Sequence, residues 1–240
     1  MNDFLQSITK LLLDNREKMG GSWAWLGGFK GKQASKKSAN KFFLGSILDY
    51  QIPAHAAWAN ARRFSEDILG DPEDLWHNII NIPKELWMSR FRQYSLHRFP
   101  QAHERVWRIG YEIVTKYDGD ARTIWNGMSP TVVLERLNEL KVGEQISRMV
   151  VGALCDTNQI QGSGDVKADI HVRRVLGRLL TGKLLTPKEA LELTRKMNPE
   201  NPWLLDDPLY QLGKHFCHAS RPSCNNCYMH EKCTYKNNRS

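Results

Sequence analysis

The chain has 240 residues, enough for one large domain or two interlocked small ones. Its 41% hydrophobic and 25% charged residues are the composition of a globular protein and argue against wholesale disorder. Lysine and arginine number 34 against 26 aspartates and glutamates, and the resulting charge of +8 points to a polyanionic partner, either nucleic acid or an acidic membrane face.

The start, MNDFLQSITK, carries no basic stretch before an apolar one, so no secretory signal is expected. FLQSITKLLLDNREKM (4–19) has apolar residues at helical spacing. The glycine- and lysine-rich segment 20–41 interrupts that pattern and reads as an exposed basic connection, with Trp23 and Trp25 in it. Further helices are expected over Phe42 to Asp49, Ala54 to Leu69, Pro72 to Ile79 and Lys84 to Gln93. Others follow over Phe99 to Lys116, Ala121 to Asn126, Pro130 to Glu139 and Glu144 to Leu154. The last run over Ile170 to Leu180, Pro187 to Lys196 and Leu204 to Phe216. Asp71, Ser129 and Thr186 each precede a proline and read as helix caps. No stretch alternates as a strand does, and the longest apolar runs, such as FFLGSIL (42–48), are too short to cross a bilayer. The chain reads as all-α, with an irregular cysteine tail.

Four of the five cysteines, Cys217, Cys224, Cys227 and Cys233, follow the spacing C-x6-C-x2-C-x5-C, while Cys155 stands alone and reads as a buried thiol. Without an export signal such a cluster reads as metal ligands rather than a disulfide framework. Four thiolates this close can enclose either a zinc ion or a [4Fe–4S] cluster. Zinc sites usually carry two Cys-x-x-Cys hooks; this tail has one.

The tail resembles the iron–sulfur loop of the endonuclease III family of helix–hairpin–helix DNA glycosylases. That resemblance implies a [4Fe–4S] cluster on Cys217, Cys224, Cys227 and Cys233, with zinc as the alternative. It also implies that Arg221, between the first two cysteines, meets the DNA backbone. In KADIHVRRVLGRLL (167–180), Asp169 aligns with the family's catalytic aspartate and His171 with its histidine. An ionised carboxylate there would stabilise oxocarbenium character on the sugar and direct the attacking water. A helix N-terminus favours such an anion. His171 reads as a support of the fold.

The family's hairpin, Leu-Pro-Gly-Val-Gly, aligns with ELKVGEQISRMVV (139–151). Val142 and Gly143 are kept, Leu140 replaces the proline, and Lys141 replaces the first glycine. Backbone N–H groups at the start of the second helix would hold a DNA phosphate, with Lys141 adding charge. Bifunctional members carry a lysine where this chain has Gln145, and an amide cannot form a Schiff base. The expectation is therefore a monofunctional glycosylase that uses water. The alternatives are abasic-site lyase activity through a lysine such as Lys167, and a non-catalytic DNA-binding iron–sulfur protein.

The segment 41–64 resembles the family stretch that ends in a glutamine inserted where the base has left. That places Gln51 in the duplex. Asp49 and Tyr50 would lie near the base pocket, Asp49 reading a base edge and Tyr50 stacking on the extruded base. Trp23 and Trp25 have no clear family counterpart, and packing against the cluster lobe is their expected role.

The resemblance covers about Phe42 to Lys236. It implies two helical lobes flanking a DNA-binding cleft: residues 42–168 as a six-helix lobe with the hairpin, and 1–41 with 169–240 as a discontinuous cluster lobe. The expected partner is double-stranded DNA carrying a damaged or mispaired base, the expected state a monomer without membrane association. Location would follow the genome, in the cytoplasm with the nucleoid of a prokaryote or in the nucleus of a eukaryote. No residue names the lesion.

Overall fold

A computed structural model describes residues 3–16, 32–70 and 73–237. Among them every regular element is helical and none is a strand, as the spacing predicts. Trp23, Trp25 and the Asp71–Pro72 cap lie outside the described residues. The chain divides into two compact units, Trp23–Gly162 on the one hand and Met1–Ser22 with Ser163–Ser240 on the other. The divisions fall at 22/23 and 162/163, where the sequence reading places them at 41/42 and 168/169.

In the central unit α2 (Lys36–Leu48) begins six residues before its predicted start. The cause is a cap: the Ser35 hydroxyl accepts the Ser38 N–H at 3.1 Å. Ala39 and Asn40 are fully buried, so the end of the expected exposed connection is core helix. Asn40 explains why a polar residue is admitted there. Its Oδ1 accepts the Trp76 indole N–H at 2.9 Å and the Ala121 N–H at 3.0 Å, while its Nδ2 donates to the carbonyls of Glu73 and Gly119. Every polar valence of the buried amide is used, which is the condition for burial without penalty.

α3 (Ala54–Arg63) runs into one wider π turn, Phe64–Ile68, within the expected single helix. α4 (Leu75–Ile80) follows, and the expected helix at Lys84 to Gln93 breaks at Arg90 into α5 (Lys84–Ser89) and α6 (Phe91–Tyr94). α7 (Pro100–Tyr117) and a 3-10 turn, Ala121–Ile124, lead to α8 (Pro130–Glu139), where Ser129 caps as expected. α9 (Glu144–Asp156) closes the unit. Phe42, Phe43, Phe64, Trp76, Trp87 and Trp125 are fully buried in this unit. Each such side chain contributes about 1.5–3 kcal/mol by leaving water. Cys155 is buried as expected, and burial pushes its thiol up to about 12.

In the other unit α1 (Asp3–Arg16) turns Leu5, Ile8 and Leu12 inward at helical spacing. They join Val172, Val175, Leu176, Leu209 and Leu212 in one apolar cluster. That cluster unites α1 with α10 (Ile170–Leu180), α11 (Pro187–Met197) and α12 (Asp206–His215). Thr186 and Glu189 form a reciprocal capping box at the start of α11. α12 begins at Asp206 because Pro202–Leu205 forms a 3-10 turn, tied back by a 3.0 Å bond from the Trp203 N–H to the Gly164 carbonyl. A last helix, α13 (Thr234–Asn237), ends the described chain.

Candidate functional site

The hairpin survives its altered sequence. Between α8 and α9, Lys141 has φ 53° and Gly143 has φ 103°. Lys141 thus adopts the left-handed backbone that glycine prefers, at a cost of about 1–2 kcal/mol. Arg108 holds the turn from outside, donating to the carbonyls of Leu140 at 2.9 Å and Lys141 at 3.2 Å. Val142 anchors it from inside, fully buried. At Gly143 a Cβ would meet nothing within 4 Å, so glycine is required there by φ and not by space. The first N–H groups of α9 lack helical acceptors, as at any helix start. Gln145 follows on α9, and its side-chain oxygen is buried with no hydrogen-bond donor among the described residues.

The end of α2 shows a second left-handed residue, Gln51, exposed with φ 52°. Tyr50 beside it stacks on His97, ring centroids 4.5 Å apart and planes 14° from parallel. The Arg105 guanidinium lies 4.5 Å from the Tyr50 ring centroid. Burial raises the Tyr50 hydroxyl above its usual range, against the opposing charge of Arg105. The Tyr50 ring is therefore already engaged within the protein, which competes with the stacking role expected for it. His97 Nε2 donates to the Tyr50 carbonyl at 2.9 Å, and its Nδ1 accepts the Phe99 N–H at 3.2 Å. Those two bonds fix a neutral tautomer, and burial lowers the His97 pKa in the same sense. Asp49 is buried at the C-terminus of α2, its N–H bonded to the Ser46 carbonyl.

Asp169 lies in the other unit as the N-cap of α10. Its Oδ1 accepts the N–H groups of His171 at 2.8 Å and Val172 at 3.0 Å, while Oδ2 accepts no hydrogen bond among the described residues. The two donors hold that oxygen at the N-terminus of α10. His171 supports the fold: its Nδ1 accepts from Arg174 at 3.0 Å, and its ring meets Tyr210 edge-on at 5.4 Å. A Cβ on Gly213 would lie 2.8 Å from the His171 Cβ, so the glycine lets α12 close on α10. Lys167 contributes its backbone, its N–H donating at 2.5 Å to Asp206.

Cys217, Cys224, Cys227 and Cys233 line one cavity with Val175, Leu179 and Leu212. All four are free thiols. Two arginines of α10 hold the tail against the helix. Arg174 donates to the Cys217 carbonyl at 2.7 Å, and Arg178 to the carbonyls of His218 and Ala219 at 2.7 Å each. Arg178 also approaches the Cys217 sulfur at 3.4 Å, a donor suited to a thiolate. Burial pushes Cys227 up to about 11 and raises Cys233. Among the described residues no three such side chains close on one point as a lone ion requires. The donor set and apolar walls fit a thiolate-ligated cluster. Arg221 is exposed on the loop between the first two cysteines.

Asp206, His97, Arg105 and Arg178 went unread in the sequence. An aspartate at a helix start is an ordinary dipole partner, and nothing local marks Asp206 as buried beside Asp169. Arg174 and Arg178 carried a faint signal, two arginines one helical turn apart on an otherwise apolar face.

No protein-family model matches the chain. In sequence it is similar to an endonuclease III of Thermotoga maritima, 27% identical over 165 residues, which cover 68% of this chain. The match spans 64% of the length of that relative. In fold it is similar to a trapped endonuclease III–DNA covalent intermediate, at 17% identity and TM-score 0.68 over 98% of each chain. It is equally similar to a thermostable thymine-DNA glycosylase, at 16% identity and TM-score 0.71, covering 99% of this chain and 98% of that one. The likeness to endonuclease III is thus met in overall sequence and in fold.

Proposed function

We propose that this chain is a DNA glycosylase of the endonuclease III type, which binds duplex DNA, extrudes a damaged or mispaired base and hydrolyses its N-glycosidic bond. The observation that carries this reading is Asp169, anchored through one carboxylate oxygen at the head of α10, the other accepting no bond among the described residues. An oxygen so held can face developing positive charge on a sugar or take the proton of a water attacking it. Binding would come from the N–H groups at the start of α9, with Gly143 admitting a phosphate closely and Lys141 adding charge. Gln51 would fill the gap left by the base, and Arg221 would meet the backbone near the cysteine tail.

Gln145 supports a monofunctional enzyme, because its amide offers no amine to form an imine. Cys217, Cys224, Cys227 and Cys233 would hold a [4Fe–4S] cluster, supported by the free thiols around an apolar cavity and the donor at Cys217. When bound, such a cluster cross-links the tail and supplies folding energy. The working unit would be a monomer located with the genome. No described helix is long and apolar enough to cross a membrane.

The test is a screen of the purified protein against duplexes carrying single lesions and mispairs, read for free base and for strand cleavage. Free base without cleavage, and no covalent adduct on borohydride treatment, is the expected result. An adduct lost in Lys167→Ala would replace this reading with a lyase. Tight DNA binding with no base released from any duplex would leave a binding protein. Colourless protein with stoichiometric zinc would remove the cluster.

A further inference from the structure

The segment that delivers Asp169 is held by a second carboxyl. Asp206, the first residue of α12, is 8% exposed, and its Oδ1 accepts the Lys167 N–H at 2.5 Å. The Lys167 carbonyl in turn accepts the N–H of Asp169 at 2.5 Å. Asp206 thus fixes the peptide on which Asp169 hangs, two residues away and through two short bonds. The charged groups that face it are Asp169 and Lys167 on that segment and Asp207 beside it on α12. No salt bridge reaches it among the described residues.

Two neighbouring carboxylates cannot both ionise cheaply where one of them, Asp206, is enclosed. The two environments differ in hydrogen bonding and enclosure. Asp169 has two N–H donors on one oxygen and the end of α10 beneath it; Asp206 has one donor and is enclosed. Burial, followed by the charge of Asp169, raises Asp206 well above the usual carboxylate range. We infer that Asp206 is a positioning residue whose acid form, buried behind Lys167, holds the Lys167–Asp169 segment in its working conformation. This rests on the glycosylase reading, in which Asp169 is the catalytic carboxylate. It assigns a role to a buried aspartate that reaches Asp169 through the backbone of Lys167.

The sign of its effect on stability follows. A folded-state pKa above the unfolded one stabilises the fold fully below the unfolded pKa, about 3.9, and that stabilisation is lost as pH rises through the folded pKa. Asp206→Asn keeps a carbonyl acceptor for the Lys167 N–H and cannot ionise. The melting temperature of the wild-type protein should therefore fall relative to Asp206→Asn, by about 2–4 °C per pH unit across that window. A purely structural aspartate that is ionised throughout gives a difference independent of pH between about 5 and 8, and that result overturns the proposal. Neutral-pH infrared difference spectra should also show a carboxylic-acid band in the wild type that is missing from the variant; its absence from both counts against the proposal.

Activity supplies the second arm. On the substrate identified by the lesion screen, Asp206→Ala should slow single-turnover base release about 100-fold, the order expected when a catalytic group is misplaced by an ångström. Asp206→Asn should restore most of that rate. If Asp206→Ala does not fold, the pH dependence of Asp206→Asn decides alone. Asp169→Asn, assayed in parallel, separates the two claims. Surviving base release there defeats the glycosylase mechanism, whereas a flat stability difference at Asp206 defeats only this inference.

Discussion

Burial shifts two histidines of one unit and an aspartate of the other in opposite directions. In Trp23–Gly162 the groups are histidines. His103 is fully buried, stacked 4.2 Å from Trp87, with Nε2 donating to the Trp87 carbonyl at 2.7 Å. Burial lowers His103 and His97 alike. In the other unit the group is Asp206, which burial raises. Acid thus works against the two histidines of the first unit, and alkali against Asp206 in the second. The difference follows what each unit buries: the first an aromatic core in which His97 and His103 stack, the second a carboxyl bonded to the segment that bears Asp169.

The strongest way to break this comparison is to remove a thiol. Cys227→Ser should lose the proposed cluster and unfold the cysteine-bearing unit, a loss of several kcal/mol where a metal centre supplies the folding energy. Circular dichroism and hydrogen exchange would then show Trp23–Gly162 still protected; loss of both units together would deny their independence.

Acid titration comes next in size. Lowered histidine pKa values give stability that is present above the unfolded value, about 6.5, and lost as pH falls toward the folded one. Each buried histidine should cost up to about 1.4 kcal/mol per pH unit in that window. Exchange protection at Trp87 and its neighbours should drop first on acidification, and His103→Gln should flatten the slope. Equal loss in both units would remove the asymmetry.

His97→Ala should have a smaller effect, about 1 kcal/mol, for one neutral hydrogen bond and its stacking. It should loosen Gln51 specifically, seen as weaker binding to DNA containing an abasic site with little change for intact duplex. Smallest of all is Lys141→Gly. It should stabilise the fold by about 1 kcal/mol by relieving a left-handed side chain, while lowering the salt dependence of DNA binding by about one phosphate contact. A variant that is destabilised would show that Lys141 holds the turn by more than its backbone.

Much of this was legible in the sequence because its causes are local. Ser129 and Thr186 announce α8 and α11 through a cap followed by proline, and both caps form. Asp169 reads as a cap before a helix and is one. The cysteine spacing keeps the four thiols within a short stretch, and they line one cavity. Residues whose partners are distant in sequence were not legible. Asn40 looks like surface until Glu73, 33 residues on, and Ala121, 81 residues on, complete its bonds. His97 meets the Tyr50 carbonyl 47 residues back, and Asp206 meets Lys167 across 39. Periodicity also passed over the break at Arg90, since both short helices keep their apolar residues in phase.

The central claim is that Asp169 carries the chemistry. It is tested most directly by single-turnover release of the base from the best duplex in the lesion screen, comparing Asp169→Asn with the wild-type protein at equal DNA occupancy. The expected loss is about 1,000-fold in rate, the order of removing the principal electrostatic stabiliser of a transition state, with DNA affinity nearly unchanged. A variant that releases the base within tenfold of the wild-type rate would contradict it.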